Sequence, residues 1–176
     1  MRALCRFLKR RGIWYLRFLP RALVDGIMWG TQAKFLLAVV VVVFHRGQVL
    51  LVRHRYRPRY PWGLVTGFVE RGETLENASV REITEEAGIA VVAGSLRFLG
   101  SSVVSGHHLE TVFWALAETD KTAGASADGE IQEAAWFSVG ALPEGLWPPQ
   151  RRLIQWADQT RRLRADRFEV DRGRDV

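Results

Sequence analysis

The stretch Phe35–Phe44 is apolar throughout, and the β-branched run Val39–Val43 inside it reads as a central strand buried on both faces. Ten residues cannot cross a bilayer as a helix, so a strand is expected over Leu36–Phe44. His45–Gln48 turns the chain into a second strand, Val49–His54. A basic, Pro-containing loop, Arg55–Pro61, leads to a short strand, Trp62–Thr66. Leu75–Ala87 lacks Pro and Gly and reads as a helix, with Thr74 as N-cap and Gly88 at the left-handed C-terminal position. Ile89–Val92, Leu96–Val104 and Leu109–Glu118 are expected as further strands. Thr119–Gly129 is rich in Ala, Gly and polar residues and reads as a flexible loop. Glu133–Ser138 follows as a strand, and Val139–Leu142 starts a short helix before Pro143. Trp147–Pro149 caps the core, Pro148–Ala165 forms a terminal helix, and Asp166–Val176 is charged and frayed. Ahead of all this lies an arm reaching Lys34, helical in part and broken at Pro20. No internal repeat is evident.

Strands outnumber helices, and one helix is bracketed by strands of both directions. That pattern predicts an α/β fold, a sandwich with a mixed β-sheet. The boundaries read from it are an arm over 1–34, a domain over 35–160 and a charged tail over 161–176.

The chemistry is concentrated in residues 67–89, GFVERGETLENASVREITEEAGI. Glu82, Glu85 and Glu86 project toward one side of the predicted helix. Arg81 can pair with Glu85 one turn on or reach back to Glu73. Three like charges on one face repel, and the segment has no Lys to intersperse them. A divalent cation removes that repulsion. Mg²⁺ prefers oxygen ligands and bridges carboxylates to substrate phosphates. A solvated, Glu-rich helix end is the plain alternative. The spacing G-x5-E-x7-R-E-U-x-E-E-x-G-U, with U apolar, argues against it. It fixes seven identities, each with a chance frequency of roughly one in twenty.

That spacing is the Nudix box, matched here at every position, and the chain resembles a Nudix hydrolase from about Phe35 to Asp158. Val49–Arg53 and Trp62–Leu64 look like the family's lead-in. One departure is Val65-Thr66-Gly67, where many members carry Pro-Gly-Gly. The resemblance implies a Nudix-type α-β-α sandwich. It implies that Glu82 and Glu86 ligate Mg²⁺ or Mn²⁺, with Glu85 as a ligand or as the group orienting the catalytic water. The Gly67 carbonyl is implied as a further ligand, and Glu73 and Arg81 as a supporting ion pair. The activity implied is metal-dependent hydrolysis of a pyrophosphate bond in a nucleoside diphosphate linked to another moiety, such as ADP-ribose-like compounds or nucleoside triphosphates. The alternative is a non-catalytic Nudix module that senses a nucleotide-derived ligand; sensors of that kind often have eroded boxes, and this one is intact.

The general base varies within the family. The resemblance implies that an acidic residue in the region ahead of Trp136-Phe137 supplies the base or a further metal ligand, with Glu133 the first candidate, Glu130 the second and Glu110, on a predicted strand, the third. Arg53, Arg55, Arg57 and Arg59 alternate before the box and can meet phosphates. Trp62 and Tyr56 can stack on a base or belong to the core. His107 and His108 read as a surface turn or a substrate contact. The SQPWPFPxS array and four-Cys zinc site of the NADH-pyrophosphatase branch are absent, as is the upstream signature of the coenzyme A branch. The isomerase branch needs a core cysteine, and Cys5 lies in the arm.

Composition adds two points. One cysteine excludes an internal disulfide and fits a cytoplasmic setting. The net charge of +6 is uneven: residues 1–35 hold eight Lys/Arg against Asp25 alone, so the rest of the chain carries about one negative charge. The arm also holds Leu4, Phe7, Leu8, Ile13, Trp14, Leu16, Phe18 and Leu19. Such a segment can pack on the domain, form a homodimer contact, or lie on an anionic membrane surface at the inner membrane face. Nucleic acid is not an expected partner. Arg17 and Arg21 interrupt the apolar run, so no signal peptide is read.

Overall fold

The computed structural model describes residues 20–122, 126 and 129–172, the last seven by their backbone alone. Much of the basic arm, part of Thr119–Gly129 and residues 173–176 therefore lie outside the described residues. The chain divides into two units, Met1–Phe35 and Leu36–Val176. The described part of the first holds helix α1, Arg21–Thr31, which follows Pro20 at its N-cap.

Among the described residues, the second unit is built on seven strands and two helices. The strands are β1 (Leu36–His45), β2 (Gln48–His54), β3 (Trp62–Gly63), β4 (Val65–Phe68), β5 (Arg97–Ser105), β6 (His108–Leu116) and β7 (Ile131–Ser138). The helices are α2 (Leu75–Ala87) and α3 (Pro148–Arg172). β1 is central, as its apolar run predicts. It pairs parallel with β6 from Leu36↔His108 to Phe44↔Leu116. On its other side β4 pairs antiparallel over Ala38–Val41, and β2 forms a hairpin at Phe44–His45. β2 carries β7 and β3, and β6 carries β5, all antiparallel.

The two faces of β1 belong to two cores. Val39, Val41 and Val43 pack with Leu50, Val52, Phe113 and the α2 residues Ala78, Ile83 and Ala87. Val40, Val42 and Phe44 pack with Leu51, Leu64, Trp114 and the α3 residues Ile154 and Ala157. One helix on each face of a mixed sheet is the α-β-α sandwich expected. Strand alternation explains it: successive side chains go to opposite faces, so a strand apolar at every position must be covered twice.

Four elements differ from expectation. Ile89–Val92 makes only an isolated bridge, Val91↔Ala117, because a turn closes at once with Ser95 N–H donating to Val92. Val139–Leu142 is a turn, held by Ala141 N–H on Ser138; Gly140 and Pro143 leave no room for a helical turn. The strand expected over Trp62–Thr66 breaks at Leu64, whose N–H donates to Gln150 Oε1 at 3.0 Å while the chain changes partner from β2 to β1. α3 continues past Ala165 to Arg172, since no Pro or Gly intervenes before Gly173. Among the described residues no helix is long and apolar enough to cross a membrane.

The ends of α2 match their sequence signals. Thr74 Oγ1 accepts from Asn77 N–H at 3.2 Å, and Gly88 adopts φ 65° with its N–H on Thr84. Thr74→Ala is expected to cost about 1 kcal/mol of stability in urea denaturation. An unchanged midpoint would show that the cap contributes nothing.

Candidate active site

The loop from β4 to α2 is organised by one guanidinium. Arg81 Nε and Nη2 donate to the two oxygens of Glu73, each at 3.0 Å, and Nη2 also donates to the Phe68 carbonyl at 3.0 Å. Nη1 donates to Glu82 at 2.7 Å and to Glu85 at 3.0 Å. Both pairings open to Arg81 thus occur together. The hydrogen bonds from Arg81 and from the Glu70 N–H hold the Glu73 carboxyl below the usual carboxylate range. Those same carboxylates, Glu73 first, raise Arg81 further above its ordinary value.

Glycine at position 67 has a spatial reason. It pairs with Val39 on β1, and a Cβ there would overlap the Glu82 carboxylate. The missing side chain lets the acidic face of α2 come up against β4. One residue earlier, Thr66 N–H donates to Glu86 Oε2 at 3.4 Å. Burial and then the charge of Glu82, with a lesser contribution from Glu130, push the Glu86 carboxyl up to about 8, opposed by the Thr66 N–H and more weakly by Arg57. Burial likewise raises Glu82, opposed by Arg81.

A cavity of about 980 Å³ opens over this cluster. Glu82, Glu85, Glu86 and the backbone of Gly67 line it, joined by Glu110 from β6 and Glu130 ahead of β7. Arg57 and Arg59 supply cationic lining from the β2–β3 loop. The other predicted residues lie elsewhere. Arg53 faces Glu133 across the β2–β7 ladder at 3.9 Å, both about half exposed, and neither lines the cavity. Arg55 is also off the lining, though its N–H donates to the Glu130 carbonyl at 2.9 Å and so fixes that residue's backbone. Trp62 stands edge-on to Phe137 at 4.9 Å in the second core. Tyr56 is exposed away from the cavity, and of the two turn histidines only His108 lines it.

Several lining residues carry no signal in the sequence. Phe68 is 56% exposed and lies 5.7 Å from the His108 ring. Trp147, expected to cap the core, is 41% exposed and lines the cavity with Tyr60 and Gln150. The register explains Phe68 and Glu110: both pair with Ala38, so one row across β4, β1 and β6 carries them on the same face. That row cannot be read without knowing that β1 and β6 run parallel.

The donor chemistry fits a hard cation. Among the described residues, five carboxylates line one cavity, and the charges of Glu82 and Glu130 raise Glu86, a repulsion that a divalent ion offsets. Among the described residues no three His, Cys, Asp or Glu side chains converge on one point; Glu82 and Glu85 are instead turned to Arg81.

The raised Glu86 predicts a pH dependence. The folded protein binds this proton more tightly than the unfolded chain, so stability falls as pH rises from about 4.5 towards about 8. Glu82 acts with the same sign. His54, buried and lowered to about 4 by burial and then Arg57, acts oppositely, but only below its unfolded value of 6.5. Between pH 6.5 and 8 the carboxylates dominate. The metal-free protein is expected to melt at lower temperature at pH 8 than at pH 6.5, and Glu86→Gln to flatten the change. An equally steep curve in the variant would remove the explanation.

Comparison with known proteins agrees with this architecture. The family description NUDIX domain matches residues 34–157. The chain is 34% identical over 128 residues to a protein of Pseudomonas aeruginosa named NAD-capped RNA hydrolase NudC, covering 67% of this chain and 41% of that protein. It is 38% identical over 133 residues to a protein of the same name from Chromobacterium violaceum, covering 73% and 48%. The chain therefore spans less than half the length of these curated relatives. Among solved structures, the NUDIX domain of Shewanella oneidensis NrtR complexed with ADP ribose aligns with a TM-score of 0.62 at 21% identity, covering 81% of this chain and 99% of that one. With the family match spanning most of the chain and the complete box on the helix that faces the cavity, this protein belongs to the Nudix family.

Proposed function

We propose that this chain hydrolyses a phosphoric anhydride bond in a nucleoside diphosphate linked to another group, using Mg²⁺ or Mn²⁺. One observation carries the reading: a single cavity of about 980 Å³ presents the acidic face of the box helix together with Arg57 and Arg59. That volume suits a nucleotide-sized ligand, and Tyr60, Phe68 and Trp147 offer flat apolar surface for its organic groups.

Glu86, Glu82 and the Gly67 carbonyl would hold the cation. When bound, it neutralises charge on the diphosphate and lowers the pKa of a water at the site. Arg57 and Arg59 donate to non-bridging phosphate oxygens and fix the diphosphate in the cavity. Glu85 orients the attacking water, and a carboxylate among Glu85, Glu110 and Glu130 takes its proton. The water oxygen bonds to phosphorus, the bridging P–O bond breaks, and its electron pair leaves with the departing phosphate. Glu73 is a positioning residue: it anchors Arg81, which in turn fixes Glu82 and Glu85.

The relatives' name, NAD-capped RNA hydrolase, puts dinucleotides and dinucleotide-capped RNA among the substrates to try. The decisive experiment measures nucleotide release from ADP-ribose, NADH, nucleoside triphosphates, dinucleoside polyphosphates, a nucleotide sugar and NAD-capped RNA, with Mg²⁺, with Mn²⁺ and with EDTA. Turnover that EDTA abolishes supports the reading and names the substrate. Tight binding of one of these compounds with no turnover would overturn it in favour of a sensor.

A further inference from the structure

We propose that Trp147, Tyr60 and Gln150 form a subsite for a planar heterocycle, with the Gln150 amide donating to an acceptor atom on its edge. The subsite rests on the cavity's being a nucleotide site, as proposed above, and specifies which wall takes the base.

The amide of Gln150 is held from behind. Gln150 is 6% exposed, and its Oε1 accepts from Leu64 N–H at 3.0 Å. Gly63 shapes the seat. A Cβ there would lie 3.2 Å from Gln150 Oε1 and 3.0 Å from His54 Nε2, so the missing side chain lets the amide reach the Leu64 backbone. The partner also fixes which end of the amide is which, because only the oxygen can accept from an N–H. Nε2 is the end left over, and among the described residues it donates to nothing. A buried amide nitrogen is costly to leave unpaired. Gln150 lines the cavity, so the cavity's occupant supplies the acceptor.

Two aromatic rings stand beside it. Trp147, whose carbonyl accepts from Gln150 N–H at 3.0 Å, is 41% exposed and lines the cavity. Tyr60 lines it as well. The β2–β3 loop brings the two together: Trp62 N–H donates to the Gly145 carbonyl at 3.2 Å, and a Cβ on Gly145 would lie 3.1 Å from Pro61 Cδ. Aromatic side chains stack on any base, whereas the amide selects. With Oε1 committed to Leu64 it can only donate, so it reads a ring nitrogen or a carbonyl oxygen and not an exocyclic amine. The lining groups whose charge suits phosphate are Arg57 and Arg59, which leaves the neutral amide and the rings for the base.

The test is calorimetry on the full chain with Mg²⁺ and three ligands, GMP, AMP and ribose 5-phosphate. None has an anhydride bond to cleave, so the outcome is separate from that of the hydrolase reading. At least one nucleotide is expected to bind about tenfold or more tighter than ribose 5-phosphate. That ratio is the readout, since effects on the phosphate cancel in it. Gln150→Glu keeps an oxygen for Leu64 N–H and removes the donor, and is expected to lower the ratio about tenfold. Trp147→Ala, at an exposed position, is expected to lower it about tenfold by loss of stacking, and decides the matter should Gln150→Glu fail to fold. A parent ratio near one, or binding of neither nucleotide, overturns the subsite. So does an unchanged ratio in either folded variant, including the case where both ligands weaken together, which would leave Gln150 serving only the Leu64 backbone.

Discussion

Glu86→Gln is expected to lower kcat/KM for metal-dependent hydrolysis by about 10³-fold or more, about 4 kcal/mol of transition-state stabilisation, without destabilising the fold. The two halves of that expectation have one cause. Glu86 is the carboxylate that burial and the charges of Glu82 and Glu130 most oppose in its charged form. Without a cation the folded protein is therefore better served by a neutral group there. Glutamine keeps the shape and can still accept from Thr66 N–H, so the metal-free variant should melt no lower than the parent at pH 8. Catalysis needs the charge instead, because a neutral amide is a poor ligand for a hard cation. Steady-state turnover at saturating Mg²⁺ and thermal melts in EDTA measure the two halves. Turnover within tenfold of the parent would remove Glu86 from the site. A large drop in melting temperature would show that the carboxylate serves the fold. Calorimetric Mg²⁺ titration adds a readout independent of activity, with binding expected to weaken strongly in the variant.

What could be read from the chain follows the range of the interactions involved. Thr74, Gly88 and the run Leu75–Ala87 specify α2 locally, and the helix ends at those residues. Val39–Val43 announces a strand covered on both faces, and both cores form on it. The Glu73–Arg81 pair is also local, within one loop and helix. The cavity's remaining walls depend on partners distant in sequence. Glu110 reaches it through the parallel pairing of β1 with β6, and Trp147 and Gln150 through the return of α3 over the sheet. Alternation along Arg53–Arg59 suggests one phosphate-facing row. The register shift at Arg53/His54 and the turn into the loop break that row, leaving Arg53 beside Glu133 and Arg57 and Arg59 on the cavity. Glu133 stands first among the base candidates read from the sequence. The ladder pairs it with Arg53 instead, while Glu130, three residues earlier, lines the cavity.

Gly67→Ala is expected to reduce turnover about 10²-fold, and Gly72→Ala to leave it within a few-fold, although the two glycines flank the same loop. Position 67 fails on space. An added Cβ would occupy the volume of the Glu82 carboxylate, so either β4 moves away from β1 or Glu82 leaves its place beside Arg81. Either movement displaces a proposed cation ligand, and misplacement of about 1 Å at a reacting centre costs about 10²-fold. Position 72 fails on conformation. Its φ is 84° and an added Cβ would meet nothing within 4 Å, so alanine brings backbone strain of about 1 kcal/mol and no clash. The pair of variants separates a site effect from a fold effect. Gly72→Ala should lower the denaturation midpoint and keep its kcat, whereas Gly67→Ala should lose kcat and Mg²⁺ affinity together. Equal losses of turnover in both would mean that the loop's overall order limits the rate, and that the close approach of Gly67 to Glu82 is not what sets the metal site.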